Sequence, residues 1–400
     1  MARVQDRVLL GLGGLVVAVL IGCSDANPAK SSGGVVVPRE VESSSGDATG
    51  VLQSETTGVS LEEVSVAKAD ALLAALATSV DLAAALRATA LRARIDSNGQ
   101  PVILDFHGRH LTDDGLGRLK DQVKLEQLFL GQQAAITDIG LEHLKGLTAL
   151  KRLSLEDTSI GDSNLEALSG LKTLQQLNLS GTRVSSVGLE QIKALTALVE
   201  LKLSSTAVTD AGLAQLKPLT RLQRLDLSNT EVSSAGLESL VGLKLQELHL
   251  AGTRVDDSGL GHLKAMTTLR RLHLSSGIGD AGLLSIQPLR GLEFLSVGGS
   301  GTISDTGVDH LKTLTRLRRL DLSGTGLTDS GLLSLKVLSN LERLDLAGTR
   351  ITDSGLRHLR GLVKLRELDL TGTRMRSGAV RQLQAALPAC RIIGVGGGRS

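Results

Sequence analysis

The hydrophobic positions of this chain follow one pattern, Leu-x-x-Leu-x-Leu, which begins at Leu125, Leu150, Leu174, Leu198, Leu222, Leu245, Leu269, Leu292, Leu317, Leu341 and Leu365. Its one lapse is Val297 as a third apolar residue. Ten steps carry the pattern from residue 125 to residue 365, a mean period of 24 residues. The x-Leu-x-Leu alternation predicts a short strand with one buried face, because side chains two apart share a face. Each unit continues as in Leu341 to Lys364: a turn ending in Thr, another apolar residue, then Asp-x-Gly-Leu-x-x-Leu at helical spacing. The Asp at that point (Asp138, Asp162, Asp210, Asp280, Asp305, Asp329, Asp353) reads as a helix N-cap accepting backbone N–H groups. The following Gly lets the helix start approach the neighbouring coil closely.

Over about residues 101–393 this pattern resembles the leucine-rich-repeat family. Within the family it is similar to the ribonuclease-inhibitor-like and F-box-type subtype, whose second half reads Ile/Val-Thr/Ser-Asp-x-Gly-Leu. The resemblance implies an α/β solenoid, a right-handed horseshoe with parallel strands on the concave side and short helices on the convex side. Spacing supports the same geometry, since strands stack about 4.8 Å apart and helices need about 10 Å, so the stack bends toward its strands.

Each coil buries its apolar edge only against its neighbours, so both ends need covers. Residues 65–100 are expected to form a helical N-terminal cap, on the strength of the Ala/Leu-rich run over 65–95, ahead of an irregular first coil at Pro101 to Phe106. Leu387 to Ile392 repeats the strand pattern once more before a flexible tail over 394–400. That register puts Cys390 at an inward Leu position as an inert buried thiol.

Where leucine-rich repeats commonly carry Asn or Cys, this chain has Thr158, Thr182, Thr206, Thr230, Thr253, Thr325, Thr349 and Thr373. An Asn amide bridges two backbone groups, whereas a Thr hydroxyl donates once, so a looser threonine ladder is expected. The unit at Leu272 to Gly282 is one residue short and that at Val297 to Gly307 one too long, which predicts a kink or rim loop around 275–303.

Ahead of the repeats, Arg3 and Arg7 precede an uncharged run from Val8 to Gly22, too short for the roughly 17–25 residues of a spanning helix. Leu20-Ile21-Gly22-Cys23 resembles the lipobox of bacterial lipoproteins. The resemblance implies a signal peptide over 1–22, removed before Cys23, and a diacylglycerol on the Cys23 thiol, with palmitate-type acylation holding the protein to a membrane. Residues 23–64, rich in Ser, Gly, Thr and acidic groups, read as a disordered tether. Export and membrane attachment, on the periplasmic side or the cell surface, are the expected location.

Composition narrows the function further. Three Phe, no Tyr and no Trp mean a core of Leu, Val, Ile and Ala. Forty-four basic against forty-two acidic residues leave no footprint for nucleic acid. Two cysteines exclude a disulfide framework. No Gly-x-Ser-x-Gly, phosphate loop or calcium loop stands in a context that fits, so neither an enzyme nor a cofactor is expected.

Function would sit on the solvent-facing strand columns. Asp321, Asp345 and Asp369 stand side by side, with Arg319 and Arg343 alternating beside them as a solvated charge lattice. Like charges in a row make a basic partner surface a reading for this end. His249 and His273 face out from neighbouring coils. No Cys or third His in their column completes a tetrahedral set, so no metal site is expected. His143, His262, His310 and His358 recur as x-His-Leu in the helical half and read as surface positions. The off-pattern cluster His249, Arg271, His273 and Phe294 is the expected partner patch, since aromatic and Arg side chains carry much interface energy. The expected function is a membrane-tethered scaffold that binds a protein partner through its concave face. The alternative is a cell-envelope protein binding peptidoglycan or polysaccharide, a reading weakened by the missing Tyr and Trp.

Overall fold

The computed structural model describes residues 92–394. Among them, fourteen strands form one open sheet whose spatial order is the chain order, and all neighbours pair in parallel except the first two. Most strands are three residues long, such as Glu247–His249 and Arg343–Asp345, with the central Leu buried. This is the α/β leucine-rich-repeat solenoid that the period predicts.

Alternation decides which side chains go inward. Leu248, Leu272, Leu344 and their equivalents join the second-half residues, such as Leu260 and Leu332, in one continuous apolar core from Leu104 to Cys390. Each fully buried Leu contributes about 2 kcal/mol by removal of its area from water. The other side of each coil is a short α-helix, such as Asp257–Leu263 and Asp329–Leu335, or a 3-10 turn, such as Gly140–Leu144 and Gly355–Leu359.

At the N-terminal end the expected helical cap is corrected where the chain is described. Arg92–Ile95 is a strand, antiparallel to Pro101–Asp105, with Ala93 opposite Leu104. The first parallel strand presents a row of backbone N–H and C=O groups at its edge, which a strand pairs and a helix does not. Asp96 shapes the hairpin, its Oδ1 accepting from the N–H of Asn98 at 2.8 Å and of Gln100 at 2.9 Å. The rest of the 65–100 segment, the signal and tether over 1–64 and most of the 394–400 tail lie outside the described residues. Among the described residues no helix is long and apolar enough to cross a membrane.

At the other end Arg391–Ile393 pairs with Glu367–Asp369. Cys390 takes the place of Leu365: its N–H donates to Leu387 O as that of Leu365 does to Leu362 O. It is a free, buried thiol. Burial pushes it up to about 11.

Two polar columns run along the coils, and neither is wired as the pattern predicts. The repeated Asp is one residue past the cap. Helices such as Asp305–His310 and Asp329–Leu335 start at that Asp, and the preceding Ser304 or Thr328 caps them, its hydroxyl accepting from Thr306 N or Ser330 N. The carboxylate instead crosses to the next coil. Asp305 accepts from Thr328 N at 2.8 Å and from Thr328 Oγ1 at 2.5 Å, and Asp329 repeats this with Thr352. The same link recurs at every step from Asp113 to Arg376. Where Ser186 and Ser234 replace the acid, their hydroxyls take over the role toward Thr209 and Asp256. The Ser234 and Ser258 hydroxyls in turn hold the Asp256 carboxyl down at about 2.

The Gly two residues after the acid is required by this contact. A Cβ on Gly331 would collide with the Asp305 carboxylate and the Leu327 side chain.

The threonine column is not a ladder either. Each hydroxyl closes its own turn, Thr206 Oγ1 donating to Leu203 O and Thr349 Oγ1 to Leu346 O at 2.6 and 2.7 Å. Bonds across coils occur where the column lacks Thr. Gln133 accepts from Leu111 N at 2.7 Å through Oε1 and donates to Phe106 O through Nε2, the two-group bridge expected of an amide. Ser275 Oγ donates to Val255 O at 2.6 Å and Ser300 Oγ to Ser275 O at 3.2 Å. Those serines belong to the short and long coils. Strand pairing from Arg271–His273 through Phe294–Ser296 to Arg319–Asp321 continues without a register shift, so the irregularity is confined to the turns.

Candidate functional site

The solvent-facing strand columns assemble as the alternation predicts, and the best-defined cluster lies on three adjacent strands, Glu247–His249, Arg271–His273 and Phe294–Ser296. His249 pairs in register with His273, and Phe294 with Arg271 and Arg319. The His249 and His273 rings stack at 4.0 Å between centroids and 26° between planes. The far side of His273 stacks on Phe294 at 4.3 Å and 25°. All three are half-buried. The row of three rings is diagonal to the register, because Phe294 comes from the column two residues earlier than the histidines.

Burial pushes the His273 imidazole down to about 4, with His249 adding to the shift and Glu247, Asp226 and Asp321 opposing it. His273 is therefore neutral at pH 7 and able to present a ring nitrogen lone pair. Glu247 Oε1 lies 2.8 Å from His249 Nε2.

Glu247 corrects the sequence reading of this region. Glu247, His249 and His273 bring one ligand atom each to within 4.8 Å of one another, so two histidines do not stand alone. The signal was present as Glu-x-His on a strand, since side chains two apart point the same way. Glu247 stands in the column two residues before the histidines, so neither column by itself holds all three ligands.

A groove of about 560 Å³ adjoins the stack, lined among others by Glu200, Arg224, Asp226, Glu247, His249 and Arg271. Arg224 crosses to Glu200 with Nε at 3.0 Å and Nη2 at 2.6 Å from the same carboxylate oxygen. Arg271 is exposed beside it.

The acidic end differs from the expected lattice. Asp321, Asp345 and Asp369 are register neighbours, yet no ion pair with Arg319 or Arg343 holds them. Each carboxylate accepts the backbone N–H two residues on, from Ser323 at 3.0 Å, Ala347 at 2.9 Å and Thr371 at 2.8 Å. Asp321 also accepts from Ser296 Oγ at 2.7 Å. Arg343 turns to Glu367 at 4.0 Å. Burial raises the Asp345 carboxyl, the Ala347 N–H opposes this, and Asp321 and Asp369 on either side add to the rise. Three side-by-side acids thus share a local negative potential with no fixed countercharge.

Among the histidines of the helical half, His143, His262, His310 and His358 are half-buried at the convex edge rather than fully exposed. Burial lowers His358, and its Nδ1 has no hydrogen-bond partner.

Family models described as leucine-rich repeat match residues 123–184 and 315–375, and a second such model matches 219–241. Among solved structures, the chain is similar to an internalin from Listeria monocytogenes at 22% identity, covering 82% of this chain and 95% of that one with a TM-score of 0.60. An internalin C2 of the same bacterium matches at 23% identity over 52% of this chain and 83% of that one, TM-score 0.40. A leucine-rich-repeat protein of Leptospira interrogans matches at 18% identity over 72% and 94%, TM-score 0.42. No curated protein matches by sequence. The first of these likenesses is one of fold, and leucine-rich-repeat folds commonly mediate contacts between proteins.

Proposed function

We propose that this protein is a membrane-tethered docking scaffold whose strand face binds a protein partner around His249, His273 and Phe294. The observation that carries the reading is the division of labour among its polar groups. The chain spends the helix-side carboxylates on joining coils, while the strand face keeps an aromatic row, the exposed Arg271 and Arg319 and unneutralised acids toward solvent. Aromatic and Arg side chains are enriched among the residues that carry most interface energy. The acids at 321, 345 and 369 fit a basic edge on the same partner, with binding that weakens as salt rises. Acylation of Cys23 and the 23–64 tether would hold this face clear of the bilayer by some tens of ångströms, roughly 5–6 Å times the square root of tether length.

The test is site-specific crosslinking in intact cells. A photoreactive residue at position 294 should give one defined protein adduct, lost in His273→Ala. The same residue at Leu333, exposed on the helix Asp329–Leu335, should give none. Equal adducts at both positions, or none at 294, would overturn the docking face. Fatty-acid labelling that disappears in Cys23→Ser, with release of the protein from membranes, tests the anchor separately. Sedimentation with purified cell wall in place of a protein adduct would favour glycan binding.

A further inference from the structure

We infer that Glu247, His249 and His273 form a binding site for one borderline divalent cation, of which zinc is the representative, on the strand face of the solenoid. Three independent placements converge. The parallel register sets His249 beside His273 on neighbouring strands. Strand alternation sets Glu247 on the same face as His249. The Glu247 carboxylate is already folded onto the imidazole, Oε1 2.8 Å from Nε2. One ligand atom from each residue lies within 4.8 Å of the other two, and this is the one group of three or more His, Cys, Asp or Glu side chains so placed among the described residues.

The geometry is close to what a cation needs. Metal–nitrogen and metal–oxygen distances of about 2.0–2.2 Å set ligand atoms about 3–4 Å apart. The Glu247–His249 pair is held together by a hydrogen atom whose place a cation would take, and because the two rings stack nearly parallel, His273 has to turn out of the stack to bring its nitrogen to the same ion. The surroundings favour the loaded state. Asp226 is the register neighbour of His249 and Asp321 lies on the other flank, while of the two arginines that flank Glu247 in register Arg224 is drawn away by Glu200 and Arg271 stays exposed.

The donor set defines the class of ion. Two imidazoles and one carboxylate suit zinc, nickel or copper, whereas calcium and magnesium demand oxygen ligands. Three protein ligands leave at least one coordination position open to solvent, where water or a side chain from another molecule would complete the shell. The inference stands whether or not the face docks a protein.

Calorimetric titration of zinc chloride into the tag-free full chain, in a non-chelating buffer at pH 7.5, tests it. One equivalent should bind with a dissociation constant of about 1–10 μM, and His249→Ala or His273→Ala should each weaken binding by about tenfold or more. Glu247→Gln should weaken it less, and His310→Ala, on the helical side, should leave it unchanged. In histidine-labelled protein the ring signals of His249 and His273 should shift on zinc addition. Absence of saturable binding, saturable binding that survives the His249→Ala/His273→Ala double variant, or equal response to magnesium would overturn the site. The substituted side chains lie on the strand face outside the core, and unchanged circular dichroism would confirm that loss of binding is not loss of fold.

Discussion

Two columns of aspartates run along this solenoid, one at the helix starts and one on the strand face, and they differ in what the chain does with them. Asp305 at a helix start takes both the N–H and the hydroxyl of Thr328 in the next coil. Asp345 on the strand face takes only Ala347 N–H, two residues away in its own turn. Both columns repeat with the same period, so repetition does not separate a structural acid from an available one. What separates the helix-start acids from Asp345 and Asp369 is whether the bonds leave the coil, Asp321 being intermediate because it also takes Ser296 Oγ from the preceding coil. A carboxylate that links two coils is needed for stacking, whereas one satisfied within its own turn leaves its remaining lone pairs to solvent or to a partner.

The largest effect should come from the linking column. Asp305→Ala leaves Thr328 N–H without its charged acceptor and should cost about 2–4 kcal/mol in urea unfolding. Asp345→Ala should change stability by less than about 0.5 kcal/mol. Equal costs would erase the distinction between the columns.

Next in size, Gly331→Ala forces a Cβ against the Asp305 carboxylate and Leu327 and should cost about 1–3 kcal/mol. Gly361→Ala, where a Cβ meets open space, should stay within about 0.5 kcal/mol. A thermal melt of the pair shows whether the close approach is what the repeat glycine provides.

Hydroxyls come third. Ser275→Ala, which removes a buried bond between coils, and Thr349→Val, which removes one within a turn, should each cost about 1 kcal/mol. Unfolding that stays two-state for Thr349→Val but broadens for Ser275→Ala would show that only the first kind of bond couples coils.

Smallest in stability is Cys390, read through chemistry. With the thiol pushed up to about 11, the reactive thiolate is scarce below that pH. Iodoacetamide at pH 8 should leave Cys390 of the folded chain unmodified and alkylate it once the chain is unfolded. Fast labelling of the folded protein would contradict its burial.

Much of this was legible in advance. The strands, their inward leucines and the membership of each outward column follow from the Leu-x-x-Leu-x-Leu spacing, and the nine residues His249, Arg271, His273, Phe294, Arg319, Asp321, Arg343, Asp345 and Asp369 all stand on the strand face where the register puts them. The misreadings have a common cause. Asp-x-Gly-Leu looks like a local cap, and Thr looks like a rung between coils. In the fold, the acid reaches across and the threonine stays home. Arg92–Ile95 lies in a run with helical spacing, yet it is a strand because the edge of Pro101–Asp105 needs pairing. Glu247 joined the histidines only once both columns were laid on one surface.

The amino-acid sequence alone determined the period, the buried face and the order of coils, because hydrophobic burial depends on side-chain alternation, which is a local property with a fixed repeat of two. The tertiary structure alone decided the partner of each polar side chain. A carboxylate or hydroxyl chooses between its own turn and the next coil over differences of an ångström, and those are set only when the coils stack.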